Sequence, residues 1–576
     1  MRSISLSALF TLGLAAMLSA PSGGTPRATP APPAAQAALA PTHPRTPIVA
    51  HPHTHPHTTA HIGIAPTSHT AAHHPGDTRP RTHPNRRWGW AGHPSPSPSP
   101  SPSPSPSPGL SARIAAIIDH PPFDRAHWGI LVRDPAADST LYARNAERRF
   151  IPASNLKLVV ASAAAHYLDP DYRYRTTLYA TGPVRAGVLE GDLVLYGRGD
   201  PTISARYAPT VTTVLEALAD SLAARGIHRI AGGVVADESH WEPAASHGDW
   251  EAYDLLWWYA APVGALGFND NSIDFHIRPG RIGTPARITW QPETSFFVFV
   301  NRTTTVGAGR EATWDFGRVP GTDTIFAYGE IPANAPAETE YFAVAEPARY
   351  TGTVFREVLE RKGIAVDRDA VRVIRDPSRS PAAGVADGAA GPEAPVALVE
   401  YLSPPLPQII GPLLERSQNW FAGQLLKTLG RELAGEGSWE AGLEVEERFL
   451  TEVVGIDADA FRLRDASGLS SGNLITPRAL VELLAFVRTM PNGALVIDAL
   501  PVAATEPGSL RYRLRDLRGR VRAKTGSIRN VASLSGYART RSGRELVFSI
   551  LVNGASEPGS RVEAAIDDVV RAIAEE

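Results

Sequence analysis

A serine and a lysine three residues apart mark the first stretch of this chain whose side chains could do chemistry. In PASNLKLVVASAAAHYL, Ser154 and Lys157 fall in the first turn of a segment with helical periodicity that runs to about Leu168. Residues three apart on a helix share a face and are separated by about 4.5 Å along its axis. A neutral amine there could take the serine proton, because burial or a second cation lowers a lysine pKa. An ordinary surface Ser and Lys would look the same, so the pair needs support from other motifs.

Lysine is rare in this sequence. The chain has 56 basic residues, and only four of them are lysines: Lys157, Lys362, Lys427 and Lys524. Arginine stays charged in proteins, whereas a desolvated lysine can lose its proton. Each lysine therefore marks a position where a permanent charge could be unsuitable.

Two further short motifs follow in chain order. Ser417-Gln418-Asn419 precedes an apolar helix, and Lys524-Thr525-Gly526-Ser527 lies on a candidate strand. Ser-x-x-Lys, Ser-x-Asn and Lys-Thr-Gly in this order form the motif set of penicillin-binding proteins and class A β-lactamases. Each motif is weak by itself, but two of the four lysines stand where the set requires lysine. The ordered triple therefore favours an activated serine over an ordinary surface pair.

With these motifs the globular part resembles the serine D-alanyl-D-alanine carboxypeptidase/endopeptidases of the low-molecular-mass (class C) penicillin-binding proteins, peptidase family S13 type. The similarity includes RFIPASNLKL, GDLVLYGRGDPT, APVGALGFNDNSID, SQNWFAGQLLKTLG and AKTGSIRNVASLSGY. The long separation of Ser154 from Ser417 suits this group, which has a large insertion between the first two motifs. The resemblance implies an α/β fold of the penicillin-binding-protein/β-lactamase-like transpeptidase type, an antiparallel sheet covered by helices, with a β-rich insertion.

The resemblance also implies a role for each motif residue. Ser154 would be the acylated nucleophile and Lys157 the general base in acylation. Ser417 would relay a proton to the leaving amine, and Asn419 would hold the substrate amide. Lys524 would supply positive charge, which would hold down the pKa of Lys157 and attract the substrate carboxylate.

The strand after Lys524 would bind that carboxylate. Thr525 and Ser527 would hydrogen-bond it, and Gly526 would let the strand approach the substrate backbone. The backbone N–H groups of Ser154 and Ser527 would form an oxyanion hole, where donors face developing negative charge. This chemistry needs no metal ion or organic cofactor. The implied partners are peptidoglycan stem peptides ending in D-Ala-D-Ala, with β-lactams as covalent inhibitors.

The sequence departs from the family pattern at a few positions. Ser527 stands where Thr is common, which keeps the hydroxyl. In DASGLSSGN, Ala466 stands where Gly is usual and Ser471 where Arg is usual. That Arg is associated with gripping the side-chain carboxylate of a diamino acid in the stem peptide. Its absence puts this side-chain preference in doubt without affecting acylation.

Strand and helix signals interleave at both ends of the globular part. The ends hold candidate strands at 129–132 and 545–554, a helix capped by Thr476 with Pro477 in its first position, and a final amphipathic helix. The middle is richer in β signals and Gly/Pro turns. This pattern predicts a catalytic domain formed by residues 110–180 and 345–576, interrupted by a β-rich insertion at 181–344.

The first 109 residues have the composition of export and linker segments. Residues 1–20 predict a secretory signal peptide, with an uncleaved signal anchor as the alternative. Residues 21–109 are rich in Pro, Ala, Thr and His and end in Ser-Pro repeats, which predicts an extended disordered linker. Weak binding of a divalent ion by its histidines stays open. We expect an exported protein of the periplasm, extracellular space or cell envelope, with no membrane span after signal removal.

Composition and the motifs leave three functional interpretations. A net charge of −3 argues against a broad nucleic-acid surface, and the absence of Cys excludes a thiol nucleophile. The leading interpretation is an exported serine-type D-Ala-D-Ala carboxypeptidase that also has scope for endopeptidase activity. A β-lactamase or esterase-like hydrolase is the second, and a non-catalytic β-lactam- or cell-wall-binding protein the third. The sequence predicts no oligomeric state.

Overall fold

The computed structural model describes residues 109–386 and 394–576. The predicted signal peptide and the predicted linker up to residue 108 lie outside these residues. Within the described part of the chain, no helix combines the length and apolar character needed to cross a membrane.

Strands and helices alternate along the described residues. The strands are β1 (His127–Asp134), β2 (Ser139–Arg144), β3 (Arg175–Ala180), β4 (Val184–Arg185), β5 (Val188–Leu189), β6 (Leu193–Gly197), β7 (Arg229–Asp237), β8 (Ser272–Arg278), β9 (Arg287–Gln291), β10 (Val298–Val306), β11 (Asp315–Arg318), β12 (Thr324–Pro332), β13 (Glu338–Ala343), β14 (Ala365–Ile374), β15 (Val396–Leu402), β16 (Phe461–Arg462), β17 (Leu474–Ile475), β18 (Val521–Ile528), β19 (Val531–Arg539) and β20 (Glu545–Asn553). The α-helices are α1 (Leu110–Ile118), α2 (Lys157–Tyr167), α3 (Thr213–Ala224), α4 (Pro347–Arg361), α5 (Ala383–Ala386), α6 (Leu406–Glu415), α7 (Asn419–Ala434), α8 (Trp439–Arg448), α9 (Pro477–Val487), α10 (Gly493–Asp498) and α11 (Gly559–Ala574).

The two ends of the described chain meet in one antiparallel sheet. Its strand order is β18-β19-β20-β1-β2, so the C-terminal strand β20 lies between β19 and the N-terminal strand β1. The strands expected at 129–132 and 545–554 are both found in it. Lys524 and its neighbours lie on β18, at one edge of this sheet.

Helices cover both faces of the five-stranded sheet. Side chains alternate between the faces of a strand, so Ile550 on β20 belongs to the core that includes α1 and α11, while Leu551 belongs to the core that includes α2, α7 and α9. Coverage on both sides explains why β20 reads as a nearly continuous apolar run. Helix α9 begins as expected, with the Thr476 hydroxyl accepting a hydrogen bond from the backbone N–H of Ala479.

The segment between the first two motifs forms further sheets. One has the order β15-β3-β6-β7-β5-β4, with β14 also paired to β7. Two three-stranded sheets, β10-β12-β11 and β13-β8-β9, pack their aromatic side chains into the same hydrophobic core as this larger sheet. The β-rich middle of the sequence therefore has a core of its own, separate from the helices around the first motif.

The larger sheet of this region extends beyond the limits predicted from the sequence. Strand β3 precedes residue 181, and α4, β14 and β15 follow residue 345. Tyr350 and Phe355 of α4 are fully buried in the core of the inserted region. The predicted domain limits stay predictions. Because β3, β14 and β15 belong to the larger sheet and α4 packs on its core, we propose an insertion from about residue 175 to 402. Helix α4 lies beyond the second predicted limit and packs into the inserted core.

Candidate active site

Ser154 lies in a tight turn directly before a buried helix. Residues Ala153–Leu156 form one turn of 3-10 helix, and α2 follows from Lys157. Ala153 has a φ of 46°, in the left-handed region that costs an L-residue about 1–2 kcal/mol. Ser154 is partly exposed, whereas Lys157 is completely buried. The turn therefore presents the hydroxyl to solvent and directs the amine inward.

The amine of Lys157 is surrounded by three oxygens. Its Nζ lies 2.8 Å from Ser154 Oγ, 2.6 Å from Asn419 Oδ1 and 2.6 Å from the carbonyl oxygen of Ser467. Burial lowers the pKa of Lys157 to about 7, and the negative charge of Asp465 acts in the opposite direction. A substantial neutral fraction at neutral pH follows, which is the form that can accept a proton.

The second motif lies at the start of α7. Ser417 has a φ of 59°, again left-handed, and Asn419 is the first residue of the helix. The Asn419 amide joins two parts of the chain, since its Oδ1 accepts from Lys157 and its Nδ2 donates to the Tyr259 carbonyl at 2.8 Å. The second motif is thus held between the first motif and the inserted region.

Lys524 on β18 completes the cluster. Its Nζ lies 2.8 Å from Ser417 Oγ and donates to the Thr525 carbonyl oxygen at 2.7 Å. Burial, and then the neighbouring Lys157, lower the pKa of Lys524 well below its usual range. Burial is the main cause of the lowered pKa of Lys157, and the expected contribution of Lys524 to it stays a prediction. Both lysines are buried, and the charge of one opposes protonation of the other.

Gly526 lies where β18 touches the Ser154 turn. A Cβ at this position would lie 2.4 Å from Ser533 Oγ, 2.8 Å from the Ser154 backbone nitrogen and 3.0 Å from the Pro152 carbonyl oxygen. The same junction is bonded by Asn155, whose Nδ2 donates to the Lys524 carbonyl at 3.0 Å. The strand and the turn therefore pack backbone to backbone, which only glycine permits.

The remaining two predicted residues lie on the same strand but outside this hydrogen-bonded chain. Thr525 is partly exposed, and its hydroxyl lies 2.7 Å from Ser509 Oγ. Ser527 is exposed one residue beyond Gly526. The structure thus links Lys157 directly to Ser154 and Asn419, and it links Ser417 to Lys524. Thr525 and Ser527 lie at the surface of the strand.

A loop that the motif analysis did not assign to the site supplies one wall. The buried Asp465 accepts backbone N–H bonds from Ser467 at 2.9 Å and Gly468 at 2.7 Å, and a 2.7 Å bond from the indole of Trp250. This carboxylate fixes the loop whose Ser467 carbonyl contacts Lys157. The only signal for this loop in the sequence was the family-like stretch DASGLSSGN. The contact of the Ser467 carbonyl with Lys157 could not be predicted, because every residue has a backbone carbonyl.

The same loop places the two atypical residues. Ala466 is fully buried, whereas Ser471 is exposed. Among the described residues, no group of three or more His, Asp or Glu side chains is arranged to hold a metal ion. The arrangement that is present can activate a serine hydroxyl and place a second hydroxyl beside a buried amine, which suits acyl transfer.

Comparison with known proteins gives matches over most of the described chain. The model of the D-Ala-D-Ala carboxypeptidase 3 (S13) family matches residues 110–573. A D-alanyl-D-alanine carboxypeptidase of Actinomadura sp. (strain R39) is 34% identical over 462 residues, which cover 78% of this chain and 82% of the relative. A penicillin-sensitive carboxypeptidase A of Dictyostelium discoideum is 25% identical over 466 residues, covering 75% of this chain and 83% of the relative.

A solved structure matches the fold. The crystal structure of penicillin-binding protein 4 from Haemophilus influenzae superposes with a TM-score of 0.68 and 20% sequence identity, covering 81% of this chain and 98% of the other. At this identity the match shows the fold alone. It confirms the expected penicillin-binding-protein/β-lactamase-like architecture with its extra β-rich regions.

Proposed function

The chain belongs to the D-Ala-D-Ala carboxypeptidase 3 (S13) family, and we propose that Ser154 is the nucleophile through which it cleaves D-Ala-D-Ala peptides. Membership makes the protein a serine-type D-Ala-D-Ala carboxypeptidase, a hydrolase. The proposal extends this to an acyl-enzyme on Ser154 and to the role of each neighbouring residue.

The environment of Lys157 is the observation on which the proposal rests. A neutral amine has two N–H donors and one lone pair. Two of its neighbours, Asn419 Oδ1 and the Ser467 carbonyl, are acceptors only, while the Ser154 hydroxyl can donate. The two donors therefore match the two acceptors, and the lone pair faces Ser154. In acylation the Ser154 proton passes to Nζ as Oγ attacks the substrate carbonyl carbon.

Collapse of the tetrahedral intermediate requires a proton on the leaving amine. Ser417 Oγ lies 2.8 Å from Lys524 Nζ, so the hydroxyl can pass its proton to the amine of the departing D-Ala and recover one from Lys524. The carboxylate of that D-Ala would raise the pKa of Lys524 as it binds, because an opposite charge favours the charged form. Substrate binding would thus charge the residue that supplies the proton.

Hydrogen-bond donors around the substrate would stabilise the negative charges. Thr525 and Ser527 would bind the terminal carboxylate, and Gly526 would let β18 run close to the peptide backbone. The backbone N–H groups of Ser154 and Ser527 would receive the oxyanion, and losing one such donor typically costs about 3 kcal/mol of transition-state stabilisation. Water would then hydrolyse the acyl-enzyme.

The proposed physiological substrate rests on the acyl-transfer chemistry of this site and on the family. We propose that the protein is exported and acts on peptidoglycan stem peptides, with endopeptidase cleavage of D-amino-acid cross-links as a second activity, and that β-lactams acylate Ser154. A Haemophilus influenzae penicillin-binding protein 4 has been solved with a β-lactam, and it superposes on this chain with a TM-score of 0.63. Ser471 is exposed and lacks the positive charge of the Arg that is usual there, so a preference for a diamino-acid side chain is not part of the proposal.

One experiment tests the nucleophile and separates the alternatives. The purified full chain is incubated with fluorescent penicillin and with a D-Ala-D-Ala peptide, and the adduct is located by mass spectrometry. Stable labelling of the peptide that contains Ser154, together with release of D-Ala, supports the proposal. Rapid penicillin turnover would favour a β-lactamase, and stable labelling without peptide cleavage a non-catalytic β-lactam-binding protein.

The helix itself provides a matched control for this experiment. Ser154→Ala is expected to abolish labelling because it removes the attacking oxygen. Ser162→Ala lies on α2, is equally a serine-to-alanine change, and removes a buried hydroxyl that has no hydrogen-bond partner. It is expected to label as the wild type does. Labelling of Ser154→Ala would disprove the assignment.

A further inference from the structure

Gln418, between the two active residues of the second motif, makes a contact that the mechanism above does not use. Its side chain is only 3% exposed. We orient the Gln418 amide with its oxygen rather than its nitrogen towards the guanidinium of Arg206, because only this orientation places an acceptor opposite the Arg206 donors. The oxygen then accepts two hydrogen bonds, at 3.2 Å from Nη1 and 2.9 Å from Nη2. Arg206 belongs to the inserted region, so this fork joins the insertion to the backbone between Ser417 and Asn419.

The guanidinium is itself held in place by a buried carboxylate. Asp270 Oδ2 accepts from Arg206 Nε at 3.0 Å and from Nη2 at 2.5 Å. Asp270 is 5% exposed, and the paired arrangement restricts the guanidinium to one plane. Arg206 therefore reaches Gln418 in a fixed orientation rather than as a freely moving surface side chain.

Asp270 is the centre of an unusual turn. Asn269, Asp270 and Asn271 have φ values of 50°, 52° and 51°, three successive non-glycine residues in the left-handed region. Asn and Asp adopt this conformation more readily than other non-glycine residues, but three in succession persist only where surrounding contacts enforce it. Here Asn269 Nδ2 donates to Asp274 Oδ1 at 2.8 Å and to the Ser272 carbonyl at 3.1 Å.

The turn reaches the second motif by another route as well. Asn271 Nδ2 donates to the Pro262 carbonyl at 2.8 Å, and the same carbonyl accepts from the indole of Trp420 at 3.1 Å. Gln418 and Trp420, on either side of Asn419, are thus both connected by hydrogen bonds to the 269–271 turn. Asn419 between them is tied to the inserted region through the Tyr259 carbonyl.

We propose, resting on the function proposed above, that Arg206 is a positioning residue that orients the second motif from the insertion. Ser417 is held at a left-handed φ of 59°, a conformation that serine does not favour. The Arg206 fork fixes the next residue, so it keeps Ser417 Oγ on Lys524 and Asn419 on Lys157. Without the fork, the backbone at Ser417 would relax to a more favourable conformation. The contact of Ser417 with Lys524 and that of Asn419 with Lys157 would then both be lost. Arg206 itself touches none of the reacting atoms.

The test compares a substitution of Gln418 that removes the contact to Arg206 with one that keeps it. Gln418→Met has similar length and no acceptor, whereas Gln418→Glu keeps an acceptor oxygen and adds a charge opposite to that of Arg206. Time courses of labelling at several penicillin concentrations give the first-order acylation constant, the half-saturating concentration and the final amplitude. We expect Gln418→Met to lower the first-order constant by about tenfold or more, and Gln418→Glu to stay within about threefold of wild type.

The three quantities separate positioning from simple destabilisation. A variant that is partly misfolded and does not refold during labelling loses amplitude, because fewer molecules react, but each folded molecule keeps its rate. Thermal unfolding of each variant shows whether the folded fraction at the labelling temperature is unchanged. A misplaced Ser417 lowers the rate at full amplitude. The half-saturating concentration is expected to change by less than about twofold, since residues 525–527, which would bind the carboxylate, are untouched.

Arg206→Gln supplies the second arm of the cycle. Because Arg206 and Gln418 would act along one path, the double variant Arg206→Gln/Gln418→Met should be about as slow as Gln418→Met alone. Arg185→Ala is the control. It removes an exposed arginine of β4 whose Nη1 lies 3.0 Å from Glu190 Oε2. It should acylate at the wild-type rate.

Clear results would overturn the inference. Acylation of both Gln418→Met and Arg206→Gln within about threefold of wild type would show that the fork does not orient the motif. Equal slowing of Gln418→Met and Gln418→Glu would show that the Arg206 contact is not what matters at this position. A wild-type protein that is not labelled at Ser154 would overturn the proposed function and this inference together, whereas normal wild-type labelling with unaffected variants overturns this inference alone.

Discussion

Lys157, Lys427 and Lys524 are all completely buried, and Lys362 alone among the four lysines is exposed. Burial is costly for a charged group, and a lysine can avoid that cost by losing its proton whereas an arginine cannot. The pKa is lowered by burial for each of the three buried lysines. The preference for arginine elsewhere in the chain therefore has a physical basis at these positions, and it explains why the scarce lysines led to the site.

Replacing Lys157 by arginine tests this reasoning directly. Arginine stays protonated and cannot take the Ser154 proton, so we expect acylation by penicillin to slow by about 10²- to 10⁴-fold, the usual contribution of a general base. The measurement is the rate of fluorescent penicillin labelling. Lys362→Arg, a surface change of the same kind, should label normally. Undiminished labelling of Lys157→Arg would contradict the role of Lys157 as base.

The pH dependence of acylation follows from the same residue. Since only neutral Lys157 accepts a proton and its pKa is about 7, protonation removes the active form as pH falls. The acylation rate constant should therefore drop about tenfold for each pH unit below 7 and level off above it. Labelling rates between pH 5.5 and 9 give the profile. A flat profile over this range would show that no group titrating near pH 7 controls the step.

For single residues, the sequence indicated side chains that the structure brings together, but it did not indicate the backbone groups beside them. Ser154, Lys157 and Lys524 were found from their types and order. The Ser467 carbonyl and the Tyr259 carbonyl were not, because any residue can supply a carbonyl and only the fold decides which one faces the site. Asp465 is an intermediate case, since its carboxylate is visible in the sequence but its task is to fix a loop.

Helix α7 shows how one element receives the inserted region along its length. Asn419 donates to the Tyr259 carbonyl at the start of the helix, and two turns later Lys427 donates to the Val263 carbonyl at 3.0 Å. Lys427 also pairs with Glu242 at 3.0 Å and lies over the Trp439 ring. The third buried lysine is thus structural, and it fastens the inserted segment along the helix that carries the second motif.

The junction between β18 and the Ser154 turn gives a prediction for an element rather than a single group. In Gly526→Ala the new methyl group would lie 2.8 Å from the Ser154 nitrogen and 2.4 Å from Ser533 Oγ, so the strand must move away from the turn. We expect penicillin acylation to fall by about 10²-fold, since a shift near 1 Å in a reacting group can cost that much. Labelling rates report the change.

A second glycine serves as the control for that substitution. Gly411 lies within α6, and a Cβ there would meet nothing within 4 Å. Gly411→Ala should leave acylation unchanged and stabilise the protein slightly, because alanine favours a helix interior by about 0.5–1 kcal/mol. Equal acylation rates for Gly526→Ala and wild type would show that β18 is not held against the turn.

Elements with a single strong pattern were predicted well from the sequence, whereas their grouping into domains stays a prediction. The continuous apolar run of β20 and the capped start of α9 were both recognised correctly. Helix α4 has an equally clear apolar face, but nothing in that face indicates which core it enters. The partner of an amphipathic face is a tertiary property, so the limits of the insertion could not be placed from periodicity.

On the scale of the whole molecule, the site depends on segments that are far apart in the chain and share one sheet. The first motif follows β1 and β2, the third lies on β18, and β20 joins these two halves of the sheet. The insertion lies between the first two motifs in sequence, yet it contacts the second motif directly. Closure of the sheet by both ends of the described chain is therefore a condition for assembling the site.

This arrangement predicts which parts of the chain acylation requires. The hydrogen bonds that join Ser154, Lys157, Asn419, Ser417 and Lys524 all lie between residues 154 and 527, and the family match begins at residue 110. A variant lacking residues 21–108 should therefore acylate at the wild-type rate within about twofold and unfold at the same temperature. Labelling kinetics and thermal unfolding of the purified proteins check this. Slower labelling of that variant would mean that the removed segment contributes to the site.

A slightly longer deletion should behave very differently, because it removes α1. Leu110, Ile114 and Ile118 of this helix are buried against α11 and the sheet, and the Arg113 guanidinium donates to the Ala572 carbonyl at 3.1 Å. Burial of each such apolar side chain contributes about 1.5–3 kcal/mol, a large part of the 5–15 kcal/mol that stabilises a typical domain. Deletion of residues 21–119 should therefore lower the unfolding temperature and the labelled fraction together. Similar stability for the two deletions would show that α1 is not part of the core that closes the sheet.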